Sequence, residues 1–360
     1  MRIRTAQILQ PGQRIRVLVV DDSVVIRRLV CHALEEDPLI EVVGVAGNGR
    51  IALNRIPSLT PDVITLDVEM PEMDGLTMLR ELRHWDRATA VVMFSTMTER
   101  GATATIEALS SGADDYVTKA SNAGSLDVSL ANLRRELLPK IRQFFDFSPP
   151  KPVLQARPQR PVAPVAASGE VRAVGIGVST GGPAALATVV PQFPADFPLP
   201  IFIVQHMPPL FTRLLAERLG TLTPLSVSEG TDGEIVRGGH IYLAPGDLHM
   251  RVANSGRGPA ITLDQAPPLN SCRPAVDALF GSMADVYGPS VVAAVLTGMG
   301  HDGMHGAEQL AGRGSYILAQ DEDTSVVWGM PGSVVGAGVA NEILPLDEIV
   351  PAILREVDGA

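Results

Sequence analysis

A run of prolines divides this chain of 360 residues into two parts. Six prolines fall between Pro149 and Pro164, in the stretch SPPKPVLQARPQRPVAPVAA (148–167). Proline has no backbone N–H, and its ring restricts φ, so neither a helix nor a sheet continues through such a stretch, which favours extended polyproline geometry. We therefore predict a semi-rigid linker over 141–169, which separates a first domain (14–140) from a second domain (170–356).

The first domain shows five short apolar segments that alternate with helical patterns. These segments are RVLVV (16–20), EVVGVA (41–46), DVITLD (62–67), AVVMFS (90–95) and DDYVTK (114–119). Strands separated by helices indicate a parallel sheet that is covered by helices on both faces. The prediction for this domain is a flavodoxin-like (βα)5 fold of the α/β class.

The second domain repeats the same α/β pattern. Apolar strands are predicted in VRAVGIGV, PIFIVQH and SVVAAVLTGMG, whereas GHIYLAPGDLHMRV together with AITLD is predicted to form an antiparallel β-hairpin. We therefore expect a doubly wound parallel sheet with an antiparallel appendage. The apolar content of 46% is sufficient for two cores of ordinary size.

Composition narrows the classes of function. A formal charge of −11 argues against a nucleic-acid-binding protein, which normally carries a concentrated basic face. The chain has neither a signal-peptide pattern nor an apolar run long enough to cross a bilayer, so we expect a cytoplasmic protein without membrane insertion. The two cysteines, Cys31 and Cys272, form no disulfide pattern and are predicted to be small core residues.

Polar residues follow four of the five predicted strands of the first domain. Asp21 and Asp22 follow the first strand, Asp67 ends the third, and Ser95 and Lys119 end the fourth and fifth. Parallel strands bring such residues to one edge of the sheet, where three carboxylates suit Mg²⁺. Singly, an aspartate there is typical of a helix N-cap and a lysine of a solvated charge. Together they predict a site for phosphorylation of a carboxylate.

The glycine-rich segment GIGVSTGGP (175–183) has two possible uses, a phosphate cradle or a turn that presents a nucleophile. The dinucleotide pattern G-x-G-x-x-G fails because its third glycine is replaced by Thr180, and no lysine completes a P-loop. The segment GVSTG instead matches G-x-S-x-G, which places Ser179 between a strand and a helix. A nucleotide-binding module and a non-catalytic interaction module remain the alternatives.

A serine nucleophile requires a base and a group that orients the base. His206 closes the strand PIFIVQH, and Asp302 follows the strand in VVAAVLTGMG, so both are expected at the same sheet edge as Ser179. The rival motif HDGMH (301–305) imitates the zinc helix H-E-x-x-H.

Two further histidines, His240 and His249, flank the predicted hairpin. We assign them to the surface or to the rim of a substrate site.

Residues 15–135 closely resemble response-regulator receiver domains. The resemblance implies Mg²⁺ binding and phosphorylation of Asp67 by a histidine kinase. The implied Mg²⁺ ligands and acidic partner are Asp22, Asp67, the backbone carbonyl of Glu69 and, as an outer partner, Asp21. The residues implied to contact the phosphoryl group or to respond to it are Ser95, Lys119 and Tyr116. The sequence departs from the receiver pattern at Ala120, where receivers usually have proline, and we expect a trans peptide after Lys119 there.

The second domain resembles the catalytic domain of chemotaxis protein-glutamate methylesterases in GVSTGGP, QHMP, IYLAPGDLHM, NSCRPAVDALF, LTGMGHDG and WGMPGSV. The resemblance implies hydrolysis of γ-methyl glutamyl esters on the cytoplasmic helices of chemoreceptors, and deamidation of receptor glutamines, without a cofactor. It implies Ser179 as the nucleophile, His206 as the general base and Asp302 as its orienting acid. The backbone N–H of Met299, together with Thr180, is implied to stabilise the oxyanion.

The two-domain order of receiver and esterase also matches this family. It implies that the unphosphorylated receiver packs over the Ser179 cleft and that phosphorylation weakens this packing. A tenfold activation requires much less than the ~5.5 kcal/mol that a complete reversal of a 99:1 equilibrium would need.

Overall fold

The computed structural model describes residues 7–10, 12–96, 98–119, 126–146 and 170–359. The chain divides into two compact units, the first containing the described residues up to 146 and the second those from 170 onward. Most of the predicted linker and the peptide bond to Ala120 lie outside the described residues. Among the described helices, none is both long enough and apolar enough to span a membrane.

The first unit contains a five-stranded parallel sheet with helices between the strands, as predicted. Its described strands are β1 (Gln7–Ile8), β2 (Ile15–Val20), β3 (Ile40–Ala46), β4 (Val63–Asp67), β5 (Ala90–Ser95), β6 (Asp115–Thr118) and β7 (Phe145–Asp146). Its helices are α1 (Val24–Glu35), α2 (Gly49–Leu59), α3 (Gly75–Arg83), α4 (Glu99–Ser110) and α5 (Leu126–Arg142). The sheet order is β3-β2-β4-β5-β6, while β1 and β7 form a separate parallel pair.

The beginnings of four helices in this unit are set by short polar side chains. The N-caps of α1 to α4 are Ser23, Asn48, Asp74 and Thr98, and each side chain accepts a hydrogen bond from the N–H three residues later. Because Ser23 caps α1, Asp21 and Asp22 do not serve as its N-cap. The carboxylates of Asp21 and Asp22 are therefore available for a role other than helix capping.

The first unit extends beyond the predicted boundary at residue 140. Helix α5 ends at Arg142 and β7 follows it. Ile141, Phe144 and Phe145 are buried in this unit, so they belong to its core rather than to the linker.

The second unit is built on a seven-stranded parallel sheet. Its strands are β8 (Ala173–Val178), β9 (Ile201–Gln205), β10 (Ser226–Glu229), β11 (His240–Leu243), β12 (His249–Ser255), β13 (Gly258–Asp264), β14 (Val291–Val295), β15 (Tyr316–Gln320) and β16 (Glu342–Leu344). Its helices are α6 (Gly182–Val189), α7 (Pro209–Gly220), α8 (Val276–Tyr287), α9 (Met304–Arg313), α10 (Gly329–Gly336) and α11 (Ile349–Asp358). The sheet order is β10-β11-β9-β8-β14-β15-β16.

The predicted antiparallel hairpin is present, but it is shorter than expected. Strands β12 and β13 pair antiparallel from His249 opposite Asp264 to Ser255 opposite Gly258. The preceding segment, β11, instead pairs parallel with β9 and β10 in the main sheet. Its assignment to the hairpin was wrong because both edges of β11 pair with parallel strands of the main sheet, in which Ile241–Leu243 are fully buried.

Glycines of the segment GIGV allow α8 to pack closely on β8. A Cβ at Gly175 would lie 2.9 Å from the ring of Phe280, and one at Gly177 would lie 2.5 Å from the Val276 side chain. Phe280 and Val276 are completely buried in the core of this unit. The two glycines therefore serve helix–sheet packing, and nothing in their placement indicates a phosphate cradle.

We predict that Gly177→Ala lowers the free energy of unfolding of the second domain by about 1–3 kcal/mol, because the added methyl group overpacks the contact with Val276. Denaturant unfolding followed by Trp328 fluorescence measures this cost once the exposed Trp85 is replaced by Phe. Val276→Ala in the same chain should relieve the clash, with a coupling energy of about 0.5–3 kcal/mol in the double-mutant cycle. If the losses in unfolding free energy of the two single variants simply add in the double variant, the two positions do not compete for space.

Candidate functional site

In the first unit, two aspartates meet one lysine at the carboxyl ends of the strands. Lys119 Nζ lies 2.9 Å from Asp21 Oδ2 and 2.8 Å from Asp67 Oδ2. The Lys119 N–H donates to the Ser95 carbonyl at 2.6 Å, which ties the loop after β6 to the end of β5. One carboxylate oxygen from each of Asp21, Asp22 and Asp67 lies within 4.8 Å of the others.

Burial and neighbouring charges set the protonation of Asp67. Burial raises its pKa most strongly, and the negative charge of Asp21 raises it further. The ammonium group of Lys119 and the N–H of Glu69 lower it, and the resulting pKa is about 6. The carboxylate is therefore largely ionised at neutral pH, as a nucleophile toward a phosphoryl group must be.

The donor chemistry of this acidic cluster fits Mg²⁺. Three carboxylates lie together, and Lys119 pairs with only two of them, Asp21 and Asp67, so negative charge is in excess. A hard divalent cation with oxygen ligands would compensate for it. Glu69 points its backbone N–H toward Asp67, while its side chain forms an exposed ion pair with Arg100 at 3.1 Å.

The predicted phosphoryl-contacting and switch residues occupy defined positions. Ser95 is fully buried, and its hydroxyl donates to the Thr96 carbonyl at 3.1 Å instead of reaching Asp67. Tyr116 is also buried, and Lys140 Nζ lies 4.7 Å from the centre of its ring. Lys140 Nζ also donates to the Tyr116 carbonyl at 2.6 Å. The tyrosine therefore occupies an inward position in this structure.

In the second unit, Ser179 lies on a tight turn between β8 and α6. Its N–H donates to the Thr297 carbonyl at 3.0 Å, and its carbonyl accepts hydrogen bonds from the Gly182 N–H (2.8 Å) and the Gln205 side-chain amide (2.9 Å). The left-handed conformation that the turn requires is adopted by Gly181, with φ of 76°. The Ser179 hydroxyl makes no hydrogen bond within the described part of the chain and is partly exposed.

His206 lies beside Ser179 because their strands pair in register. Val178 pairs with Gln205, so Ser179 and His206 each come directly after a paired residue. The His206 N–H donates to the Val178 carbonyl at 3.3 Å. Nε2 of the imidazole lies 2.7 Å from Asp302 Oδ2. The structure thus places His206 beside the Ser179 turn and within hydrogen-bond distance of Asp302.

Asp302 is buried and held by several donors. The N–H of Val276 donates to Oδ2 at 2.6 Å, while the Asn270 side chain and the Asp277 N–H donate to Oδ1 at 2.9 and 3.2 Å. Burial alone would raise the pKa of Asp302, but the hydrogen bonds and the neighbouring His206 lower it below the ordinary value. Asp302 therefore stays ionised and presents one oxygen to His206.

Hydrogen bonding also controls the pKa of His206. Burial lowers it, but the hydrogen bonds to Asp302 and Cys272 and the negative charge of Asp302 outweigh burial, giving a pKa of about 9. Cys272 Sγ lies 3.6 Å from Nδ1, the nitrogen that faces away from Asp302. The prediction that both cysteines are core residues was wrong, because Cys31 and Cys272 are each partly exposed.

The proposed oxyanion donors lie in loops next to Ser179. Thr180 is buried, and its carbonyl accepts the Thr297 hydroxyl at 2.9 Å. Met299 is 48% exposed, and its backbone N–H donates to no other residue in the described ranges. The backbone at Gly298 lies very close to Ser179, since a Cβ at position 298 would lie 2.8 Å from the Ser179 Cβ. This approach brings the Met299 loop next to the serine.

The remaining histidines do not form a zinc helix. The left-handed Gly303 precedes α9, so His301 lies outside the helix that contains His305. His305 Nδ1 instead lies 3.1 Å from the Glu308 carboxylate on the surface. His240 lies 2.8 Å from the Ser228 hydroxyl. His249 is fully buried, so its placement on a surface or substrate rim was wrong.

Both units of the chain match known protein families. The CheB methylesterase family model matches residues 174–353, and the response regulator receiver domain model matches residues 17–131. This chain belongs to the CheB methylesterase family. A Trichodesmium erythraeum relative is 46% identical over 96% of this chain and 99% of its own, and a Nocardioides relative is 49% identical over 96% of each. Both are named protein-glutamate methylesterase/protein-glutamine glutaminase.

The fold of the second unit also matches a solved member of this family. The structure titled as the Thermotoga maritima CheB methylesterase catalytic domain is 40% identical, with a TM-score of 0.51. The match covers 53% of this chain and all of that domain.

Three residues near the triad were not singled out from the sequence. Gln205 supports the Ser179 turn, Asn270 links Asp302 to Asp277, and Cys272 adjoins His206. Asn270 and Cys272 lie within NSCRPAVDALF, which the sequence analysis quoted only as a family signature. The dipeptide Asn-Ser, which suits a tight turn, was the available signal there.

We predict that Lys119→Met raises the pKa of Asp67 above about 6, because the ammonium group that favours the ionised carboxylate is removed. Asp21→Asn should lower it, since a repelling negative charge is lost. A ¹³C NMR titration of the Asp67 carboxyl group in the presence of a chelator measures both shifts. Arg100→Met, which removes only the exposed partner of Glu69, is the control and should leave the titration unchanged. An unchanged Asp67 pKa in Lys119→Met would contradict this account.

Proposed function

We propose that this protein is a protein-glutamate methylesterase and protein-glutamine glutaminase whose activity increases when Asp67 is phosphorylated. The 2.7 Å hydrogen bond between His206 and Asp302, next to the turn that holds Ser179, is the observation that carries this proposal. The substrate is a chemoreceptor glutamyl methyl ester or glutamine. Family membership and the names of the full-length relatives support this assignment.

His206 uses its two nitrogens for different tasks. Nε2–H of His206 donates a hydrogen bond to Asp302, so the neutral imidazole has its lone pair on Nδ1. Nδ1 takes the hydroxyl proton of Ser179 as the serine oxygen attacks the γ-carbonyl carbon of the substrate. The resulting imidazolium is stabilised by the ionised Asp302.

The tetrahedral intermediate then collapses. The bond from carbon to the methoxy oxygen or to the amide nitrogen breaks, and His206 gives its proton to the departing group, which leaves as methanol or ammonia. A water molecule loses a proton to Nδ1 and attacks the acyl-enzyme. Collapse of this second intermediate releases the glutamate carboxylate and returns the proton to Ser179.

Backbone N–H groups stabilise the oxyanion in both steps. We assign this role to Met299 and to Thr180, since the Met299 loop and the Ser179 turn approach each other at Gly298. Loss of one such donor typically costs about 3–4 kcal/mol of transition-state stabilisation.

The first domain regulates the hydrolase activity of the second domain through phosphorylation. Asp67 is the residue that accepts the phosphoryl group from a histidine kinase. Asp22, Asp67 and the Glu69 carbonyl, with Asp21 beside them, would hold Mg²⁺, whose charge would offset that of the transferring phosphoryl group. Lys119 lies between Asp21 and Asp67 and provides a cation for the phosphoryl oxygens. Ser95 and Tyr116 would change position after phosphorylation.

We predict that Ser179→Ala reduces methanol release from a methylated chemoreceptor fragment by a factor on the order of 10⁶, because no other hydroxyl replaces the nucleophile. The assay uses the full chain with Mg²⁺, with and without a small phosphodonor. The matched control, Asp67→Asn, should keep the basal rate and lose the response to the phosphodonor. Full activation of Asp67→Asn by the phosphodonor would contradict control by phosphorylation of Asp67. Full activity of Ser179→Ala would contradict Ser179 as the nucleophile.

We predict that kcat/KM rises with pH and reaches half its maximum near pH 9. The pKa of His206 is about 9, and only the neutral imidazole accepts a proton, so activity is lost as the pH falls below that value. In Asp302→Asn the midpoint should move to lower pH, and kcat should fall by a factor of about 10⁴. Glu308→Gln, which removes only the partner of the exposed His305, should leave the midpoint unchanged. A pH-independent rate would contradict His206 as the base.

A further inference from the structure

The hydrolytic mechanism leaves one nearby group unused, the thiol of Cys272. It lies 3.6 Å from Nδ1 of His206, the nitrogen that the mechanism uses as the base. A serine hydrolase needs no thiol at this position. The thiol is partly exposed, so it does not serve as core packing either.

A rigid turn fixes the position of this thiol. Cys272 ends a two-residue turn in which Asn270 and Ser271 have φ values of 50° and 64°. The turn is closed by two backbone hydrogen bonds, from the Cys272 N–H to the Leu269 carbonyl (2.7 Å) and from the Leu269 N–H to the Cys272 carbonyl (3.1 Å). The Asn270 side chain anchors it to Asp302 at 2.9 Å. The thiol therefore does not depend on a mobile loop for its place beside His206.

The separation of the two atoms matches the edge of a tetrahedral zinc site. With Zn–N of about 2.0–2.1 Å and Zn–S of about 2.3 Å, tetrahedral N and S ligands lie about 3.6 Å apart. The carboxylate that accepts from Nε2 of His206 is the usual partner of a metal-binding histidine, because it fixes the ring and exposes the other nitrogen. Ligand atoms of His206, Cys272 and Asp302 all lie within 4.8 Å of one another.

We propose that Cys272 Sγ and His206 Nδ1 bind Zn²⁺ and that this binding reversibly inhibits the hydrolase. The cation displaces the thiol proton to solvent and occupies the lone pair that would accept the proton of Ser179. Asp302 remains in the outer shell, since its oxygens are already engaged by His206, Val276, Asn270 and Asp277. Water fills the other coordination positions. The inhibitory consequence rests on the proposed function, whereas the binding does not.

Ligand chemistry separates this Cys272–His206 site from the acidic cluster of the first domain. A thiolate and an imidazole favour Zn²⁺, whereas the carboxylates of Asp21, Asp22 and Asp67 favour Mg²⁺. An excess of Mg²⁺ therefore blocks the carboxylate site without competing for Cys272. This difference makes the proposal testable in the full-length chain.

Binding is tested first with Co²⁺ as a spectroscopic probe, in excess Mg²⁺ and with a non-thiol reductant. Wild-type protein should show a thiolate-to-cobalt charge-transfer band that Zn²⁺ abolishes. Cys272→Ser and Cys272→Ala should lack the band, while the matched control Cys31→Ser should retain it. A band that persists without Cys272, or its absence from wild type, would overturn the site.

Inhibition is tested by Zn²⁺ titration of methanol release, with each variant normalised to its own metal-free rate. Loss of the thiolate ligand should raise the Zn²⁺ concentration for half-inhibition at least about tenfold in Cys272→Ser, because even an outer-shell partner is worth 10–100-fold in metal affinity. Cys31→Ser and His305→Ala should respond as wild type does, and a chelator should restore activity.

Inhibition that is equal in all variants, or that only a reductant reverses, would overturn the inhibitory role. The charge-transfer band without any methanol release from wild type would instead contradict the proposed function and leave the metal site standing.

Discussion

Parallel strands that hydrogen-bond in register bring their last residues to one edge of the sheet, and both functional regions of this protein depend on that constraint. In the first unit, Asp67 ends β4, next to β2 and β5, and Lys119 follows β6. In the second unit, the pairing of Val178 with Gln205 puts Ser179 beside His206. The backbone ladder therefore positions Asp67, Ser179 and His206, whereas the position of Asp302 depends on the loop after β14.

The buried carboxylates at the two sheet edges, Asp67 in the first unit and Asp302 in the second, have pKa values shifted in opposite directions. Asp67 is surrounded by other carboxylates, so burial and repulsion raise its pKa, and a lysine only partly compensates. Asp302 is more thoroughly enclosed by donors, including the N–H of Val276 and the Asn270 side chain, so its pKa is lowered despite burial. The first arrangement suits a cation and a phosphoryl group, whereas the second keeps a fixed negative charge beside a histidine.

Close packing links the sheet of the second unit to the loop that contains Asp302. Gly177 leaves room for Val276, and the N–H of Val276 donates to Asp302. The glycines of GIGV, which the sequence analysis weighed against a nucleotide-binding loop, thus set the distance at which α8 meets β8. The N–H at the start of the same helix then donates to Asp302, so one residue, Val276, both packs against the sheet and holds this carboxylate.

The alternation of apolar strands and helical patterns was enough to predict the α/β class and the parallel sheets, because burial on both faces leaves a local signature in each strand. Sequence alone could not assign β11 correctly, since a buried strand reads the same whichever neighbour it pairs with. Contacts between distant residues were decided only by the tertiary structure. Asp302 lies 96 residues from His206, and Cys272 lies 66 residues from it. Which nitrogen of His206 faces which group depends on how separate loops pack together, and no local pattern records that packing.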